Sequence, residues 1–119
     1  MTQTVAIEKR RDHILVRILG DLLTPAITDS LTKIAEIRRQ HGITRILCDQ
    51  REMGKPPDTM AIFMTASAFG ADPLRGVRLA ILRHEMPEGD HFFETVATNR
   101  GGIVRIFDDR KAALRWLRG

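Results

Sequence analysis

Near its end the chain reads Ile103-Val104-Arg105-Ile106-Phe107, then Asp108-Asp109, then Arg110-Lys111-Ala112-Ala113-Leu114-Arg115-Trp116-Leu117. The first five residues have the β-branched and aromatic character of a strand. The acid pair suits a helix N-terminus, where the amide dipoles favour negative charge. Ala112, Ala113, Trp116 and Leu117 then fall on one helical face, and that face should lie on the sheet. This is the last of three strand–helix units in a row, and the alternation predicts an α/β layer with a largely parallel sheet.

Working outward, Val77–Leu82 is the strand before it. The linker that follows contains Pro87 and Gly89, and Asp90 is placed to cap a helix striped with Phe92, Phe93, Val96 and Ala97, closed by Gly101-Gly102. Arg45–Asp49, holding Ile46, Leu47 and Cys48, predicts a short buried strand. Gly54, Pro56 and Pro57 break it, and Asp58 is placed to cap a helix from Thr59 to Ala71. Upstream, Thr24-Pro25 opens an amphipathic helix carrying Ile27, Leu31, Ile34 and Ala35 inward, and Gly42 ends it. Val5 and Ile7 alternate with Ala6 and Glu8, while Ile14–Leu19 is apolar on both faces except Arg17; a turn through Arg11 and Asp12 makes the two a hairpin. The expected order is ββαβαβαβα: one α/β domain over 1–119, with a mixed sheet of about five strands, an N-terminal hairpin and about four helices.

A chain of 119 residues buries roughly two-thirds of its unfolded surface, enough for a core without staples. Hydrophobic residues make up 43% and charged residues 29%, the balance of an ordinary soluble globule. Cys48 is the one cysteine, so no internal disulfide forms and a reducing compartment is expected. No apolar run approaches the roughly 18–20 residues of a membrane helix, and Thr2-Gln3-Thr4 starts no secretory signal. The expected location is cytoplasmic. The net charge of +4 raises nucleic acid as a partner, but fifteen of the nineteen basic residues are Arg, scattered as singles and the pairs Arg10-Arg11 and Arg38-Arg39, and Tyr is absent. Without aromatics between the cations there is no stacking platform, so an Arg-rich solvated surface is expected and nucleic acid is not expected as a partner.

The Ile46–Asp49 strand leading to a capped helix at Asp58, the Val77–Leu82 strand, and the Val104–Leu117 ending resemble the STAS domain family, the bacterial anti-sigma-factor antagonists. The resemblance is strongest to the STAS-like branch grouped with lipid-binding CRAL-TRIO domains. It spans nearly the whole chain and rests on patterns of apolarity. It implies a non-catalytic regulatory domain with a protein partner. In that family a serine or threonine at the start of the helix after the third strand is phosphorylated, within a motif resembling Asp-Ser-Ser-Gly or Asp-Ser-Thr-Gly. This chain has Asp58-Thr59-Met60-Ala61, which keeps the acid and one hydroxyl and lacks the glycine. Thr59 is therefore either a phosphate acceptor or a plain helix-start residue.

The segment from Thr59 to Ala71 contains Met60, Ile62, Phe63, Met64 and Phe69 and is read as the least polar helix. Such a helix is either the most buried in the domain, a protein interface (self-association first), or one wall of an apolar-ligand groove. The interaction site is assigned to Met53, Asp58, Thr59, Met60, Phe63 and Met64, with Met53–Asp58 as the loop before the helix. Asp21, Asp49, Gln50, Arg51, Arg83, His84, Glu85 and Asp108 sit at strand ends, where α/β sheets collect ligands, but polar loop ends are common to soluble domains. His84-Glu85 and Asp90-His91 lack the spacing of a zinc site, and His13 and His41 read as surface residues. Cys48 reads as inert packing, Ser30 and Ser67 lack an elbow turn, and Asp108-Asp109 need no role beyond the helix start. No catalytic residue, metal or cofactor is assigned. The docking of the last helix has a direct measure: Trp116→Ala should cost about 3–5 kcal/mol in denaturant unfolding, and a loss well under about 1 kcal/mol would mean that the helix is not docked.

Overall fold

Alternation along the first strands makes a hairpin: β1 (Val5–Lys9) pairs antiparallel with β2 (Ile14–Gly20), from Val5 opposite Ile18 to Lys9 opposite Ile14. Arg10 N donates to His13 O at 2.8 Å to close the turn. The computed structural model describes residues 5–21, 24–54, 59–69, 71, 74–84, 88–99 and 101–119. Beyond the hairpin the chain runs α1 (Thr24–His41), β3 (Arg45–Met53), α2 (Thr59–Ala68), β4 (Arg78–Leu82), α3 (Glu88–Asn99), β5 (Ile103–Phe107) and α4 (Arg110–Arg118). This is the expected order.

The five strands lie in sequence order, and β2 to β5 are parallel. Parallel neighbours joined in order by right-handed crossovers put every crossover helix on the same face. Accordingly Ile34 of α1, Ala66 of α2 and Ala97 of α3 share one core with Ile14, Val16, Ile18, Ile46, Leu79, Ile81, Val104 and Ile106. The alternate positions Leu15, Leu47, Ala80 and Leu82 face the other way and are covered by Ala113 and Leu117 of α4. Two buried faces explain why the central strands are continuously apolar rather than alternating.

The helix ends follow their residues. Gly42, with φ of 68°, donates to Arg38 O at 2.8 Å and stops α1. After α3, Gly101 N bonds Thr98 O and Gly102 N bonds Ala97 O, the paired pattern of a Schellman end. A Cβ at Gly102 would press within 2.9 Å of Ala97 O, so that position needs glycine. Asp109 caps α4, its carboxylate accepting from Ala112 N at 3.1 Å. Glu94 of α3 reaches the outer side of β5 and accepts from Ile106 N at 3.1 Å.

Several boundaries and placements differ from expectation. β3 extends past Asp49 to Met53, because β2 is long enough to pair Leu19 with Glu52 and Gly20 with Met53 beyond a register shift. α2 stops at Ala68, where Ala71 N turns back to Ala68 O. α3 starts at Glu88, so Asp90 falls inside its first turn instead of capping it. His13 is buried, at 7% exposure, not a surface residue. Its Nδ1 lies 2.8 Å from Asp12 Oδ1, which satisfies one ring nitrogen, while Nε2 is buried without a partner among the described residues. Trp116 is half-buried: Ala113 and Leu117 take the centre of the face, and the indole lies at its margin against Phe107, with ring centroids 5.7 Å apart. The loss on Trp116→Ala therefore falls at the low end of the range given above.

Two arginines secure the far end of α4. Arg45 Nε donates to Leu117 O at 2.9 Å, and Arg78 donates to Trp116 O at 2.8 Å. The Arg78 guanidinium also lies 4.4 Å above the Trp116 ring. Cations at the carbonyl end of a helix are favoured by its dipole as well as by the hydrogen bonds. Asp12 ties the same end to the hairpin, accepting from Arg118 Nε at 2.9 Å.

All of this happens at the end of the sheet where the parallel strands begin. The hairpin turn brings Arg10 and Arg11 there, and α1 ends there with Arg38, Arg39 and His41. Arg45 and Arg78 open their strands at that end, Arg75 precedes β4, and α4 finishes there with Arg115 and Arg118. Cations scattered in linear order are gathered in space.

The Asp12 carboxyl is held down to about 2 from its ordinary 3.8, first by the His13 hydrogen bond and then by Arg118. A carboxylate whose folded pKa lies below its unfolded value stabilises the fold above the unfolded pKa, and that contribution is lost as the pH falls through the folded one. The native melting temperature should therefore drop more steeply than that of Asp12→Asn as the pH is lowered from about 4 to about 2, as followed by circular dichroism.

Candidate functional site

Helix α2 crosses from β3 to β4 on the face shared by three helices, and none of its ten residues is charged. Ala66 is fully buried, and Phe69, just past the helix, is 3% exposed; both join the core. On a 3.6-residue period these two lie on one side of the helix axis, and Met60 and Met64, one turn apart, lie on the other. Met60 is 67% exposed and Met64 56%. A third large apolar residue, Ile103 of β5, is 41% exposed. The helix is thus buried on one side, as any crossover helix must be, and apolar toward solvent on the other.

The remaining assigned residues divide. Met53 is the last residue of β3, not part of a loop, and its half-buried side chain packs against the larger core. Thr59 is the first residue of α2, and Phe63 lies in the same helix one position before Met64. The side chains of Thr59 and Phe63, and all of Asp58, lie outside the described residues. The structure therefore brings Met60 and Met64 together as a surface pair, while Met53 packs against the core at the end of β3.

The carboxyl ends of the strands carry charges tied up with one another. Arg51 grips Asp49 through Nε at 3.0 Å, a terminal nitrogen at 2.9 Å and its backbone amide at 3.0 Å. Burial alone would raise the Asp49 carboxyl, but these Arg51 bonds hold it below its ordinary value. Arg17 pairs with Glu52 at 3.0 Å across the two central strands. Asp21 sits against Gly54, whose amide donates to Gly20 O at 2.8 Å where the two strands close. Gln50 donates to Cys48 Sγ at 3.6 Å. His84 and Asp108 are exposed, and Glu85 lies outside the described residues. Among the described residues no three His, Cys, Asp or Glu side chains form a metal-binding group, and no helix is long and apolar enough to cross a membrane.

Sequence reasoning missed the Arg45–Leu117 and Arg78–Trp116 bonds, whose partners lie 72 and 38 residues apart. It also missed the Asp12–His13–Arg118 link. The one available signal was positional: Arg45 and Arg78 both open strands, where their side chains meet the end of a helix on the neighbouring layer.

Comparison with known proteins bears on the fold. No protein-family model matches the chain, and no curated protein matches it. Solved structures do. The anti-sigma factor antagonist SpoIIAA in its unphosphorylated form superposes with a TM-score of 0.67 at 17% identity, over 97% of this chain and 98% of that one. An uncharacterized Shewanella loihica PV-4 protein of the DUF3478 family, with a SpoIIAA-like fold, gives 0.63 at 21% identity over 95% and 91%. The Bacillus cell fate determinant SpoIIAA in its phosphorylated form gives 0.60 at 16% identity over 94% and 98%. The architecture is thus STAS-like, as the sequence pattern implied, with the five-stranded mixed sheet and four helices of the SpoIIAA-like fold.

Cys48 supplies a check on the strand that leads toward the site. Burial pushes its thiol up from 9.0 to about 12, against a smaller opposing effect of Gln50. At about pH 8 almost none is thiolate, the reactive form, so the folded protein should resist iodoacetamide while the unfolded chain is alkylated, as read by mass spectrometry.

Proposed function

We propose that this chain is a non-catalytic regulatory or scaffolding domain that recognises protein through α2, with a second copy of itself as the partner. The exposed Met60 and Met64 pair carries this reading. Methionine is over-used at adaptable binding surfaces, and an apolar patch on a polar rim is the usual anatomy of an interface. The chain's net charge is +4, which sets two copies against each other, yet α2 has no charge and can meet its own image without repulsion. Asp58, Thr59 and Phe63 are assigned to the same proposed surface around the methionine pair, and Met53, which packs against the core, to its inner margin. Likeness in fold to the anti-sigma factor antagonist SpoIIAA supports a protein partner over a substrate.

The SpoIIAA fold is known in a phosphorylated form. In this chain the hydroxyl at the equivalent helix start is Thr59, the first residue of α2. A phosphate there would meet the free amides and positive end of the helix dipole and would add charge beside the methionine pair. The second reading, an apolar ligand held against the same helix, rests on the same exposed methionines.

Met60→Lys and Met64→Lys test the proposal by light scattering at rising protein concentration. The native protein should increase in mass, and both variants should stay monomeric with unchanged melting temperatures. Folded variants that associate like the native protein, or a native protein that stays monomeric throughout, overturn it. Lipid found by mass spectrometry of the extracted native protein would favour the ligand reading instead.

A further inference from the structure

We infer that the end of the sheet where the parallel strands begin is a docking surface for the phosphate backbone of a double-stranded nucleic acid, bound without reading its sequence. The topology assembles this surface. The carboxyl ends of α1 and α4, the hairpin turn, and the starts of β3 and β4 all meet there, and each contributes arginine. The acids described at that end are Glu8, Asp12 and Glu36. Glu8 is paired with Arg10 at 3.2 Å and Asp12 with Arg118 at 2.9 Å. The charges separate along the molecule, since Asp21, Asp49, Glu52, Asp108 and Asp109 lie at or beyond the opposite strand ends.

The arginines form two layers. Arg38, Arg45 and Arg78 turn inward and bond the carbonyls of Arg75, Leu117 and Trp116. Those bonds account for an inner layer, in which Arg45 and Arg78 neutralise the end of α4 and Arg38 holds the turn before β4. An outer layer remains: Arg11, Arg39, Arg75 and Arg115 are exposed, and no ion pair among the described residues engages any of them. Arg39 and Arg115 stand in last helical turns, where the dipole favours a cation, but Arg11 and Arg75 do not.

Guanidinium groups bind phosphate through paired donors, which favours a phosphodiester over a simple counter-ion. Two observations select duplex nucleic acid among phosphodiester surfaces. Among the described residues the aromatic rings near this end are engaged, Phe69 in the core and Trp116 under Arg78, so none of these is offered to stack on unpaired bases. Ile103 is the one large apolar side chain exposed there among the described residues, so a bilayer would find charge with almost nothing to insert. The surface is also distinct from the Met60 and Met64 pair, which lies on a helix that contributes no cation.

Fluorescence anisotropy with a short labelled DNA duplex of mixed sequence tests the inference on the full chain. With four outer arginines each meeting one phosphate, the log–log salt slope should be about −3 to −4, so affinity should fall roughly a hundredfold between about 50 and about 200 mM salt. A variant carrying Arg11→Gln, Arg39→Gln, Arg75→Gln and Arg115→Gln should lose at least about tenfold in affinity at low salt and most of that slope. A control carrying Lys33→Gln, Arg110→Gln and Lys111→Gln, on the other parts of α1 and α4, should bind like the native protein. Both variants should keep the native melting temperature, since every substituted side chain is exposed. Equal losses in the two variants would reduce the effect to net charge and overturn the site. So would the absence of duplex binding at low salt, or binding to phosphatidylserine vesicles in preference to the duplex.

Discussion

Strands β2 to β5 lie side by side in chain order and all point the same way, and this arrangement governs the rest of the molecule. Right-handed crossovers then crowd three helices onto one face and leave the other to whatever follows β5. That remainder of the chain is α4, nine residues long, and it must shield Leu15, Leu47, Ala80 and Leu82 with two fully inward side chains, Ala113 and Leu117. So short a helix has little intrinsic stability. Its N-cap at Asp109 and the two guanidinium groups on its last carbonyls hold it in place. Arg45 and Arg78 serve the buried face as much as the leucines do, although neither is apolar.

Much of this was legible in the residues. The amphipathic period of Ile27, Leu31, Ile34 and Ala35, the acid pair at Asp108-Asp109 and the glycine stops at Gly42 and Gly101-Gly102 each encode a local event, and each formed where expected. The order of elements and the largely parallel sheet followed from the alternation of such units, and the STAS-like architecture from the resemblance. What escaped were features made by distant partners. Asp49-Gln50-Arg51-Glu52 looks like a loop because four polar residues in a row carry no period, yet β2 supplies a partner and the strand continues. His13 looks exposed until Asp12, its neighbour, and Arg118, on the last helix, enclose its surroundings.

The site was legible only in composition. An uncharged helix can be buried all round or covered by something else, and periodicity alone does not separate these cases. The contrast between Phe69 and Met64 does, and it depends on where α3 and the sheet stand relative to α2. The grouping of the arginines was likewise hidden. Arg11 and Arg115 are far apart along the chain, and only a sheet whose parallel strands all begin at one end, where α1 and α4 finish, brings them to that same end.

Glu94 has a wider meaning than a single bond. β5 is an outer strand, so half its amides point away from the sheet and offer a template on which a foreign strand can grow. One of its outward amides, on Ile106, is already engaged by a carboxylate from α3. An incoming strand would have to displace a charged acceptor and leave that charge against its own carbonyl oxygens. The helix beside β5 thus acts as a guard against fibril-like stacking, keeping the sheet at five strands on that flank.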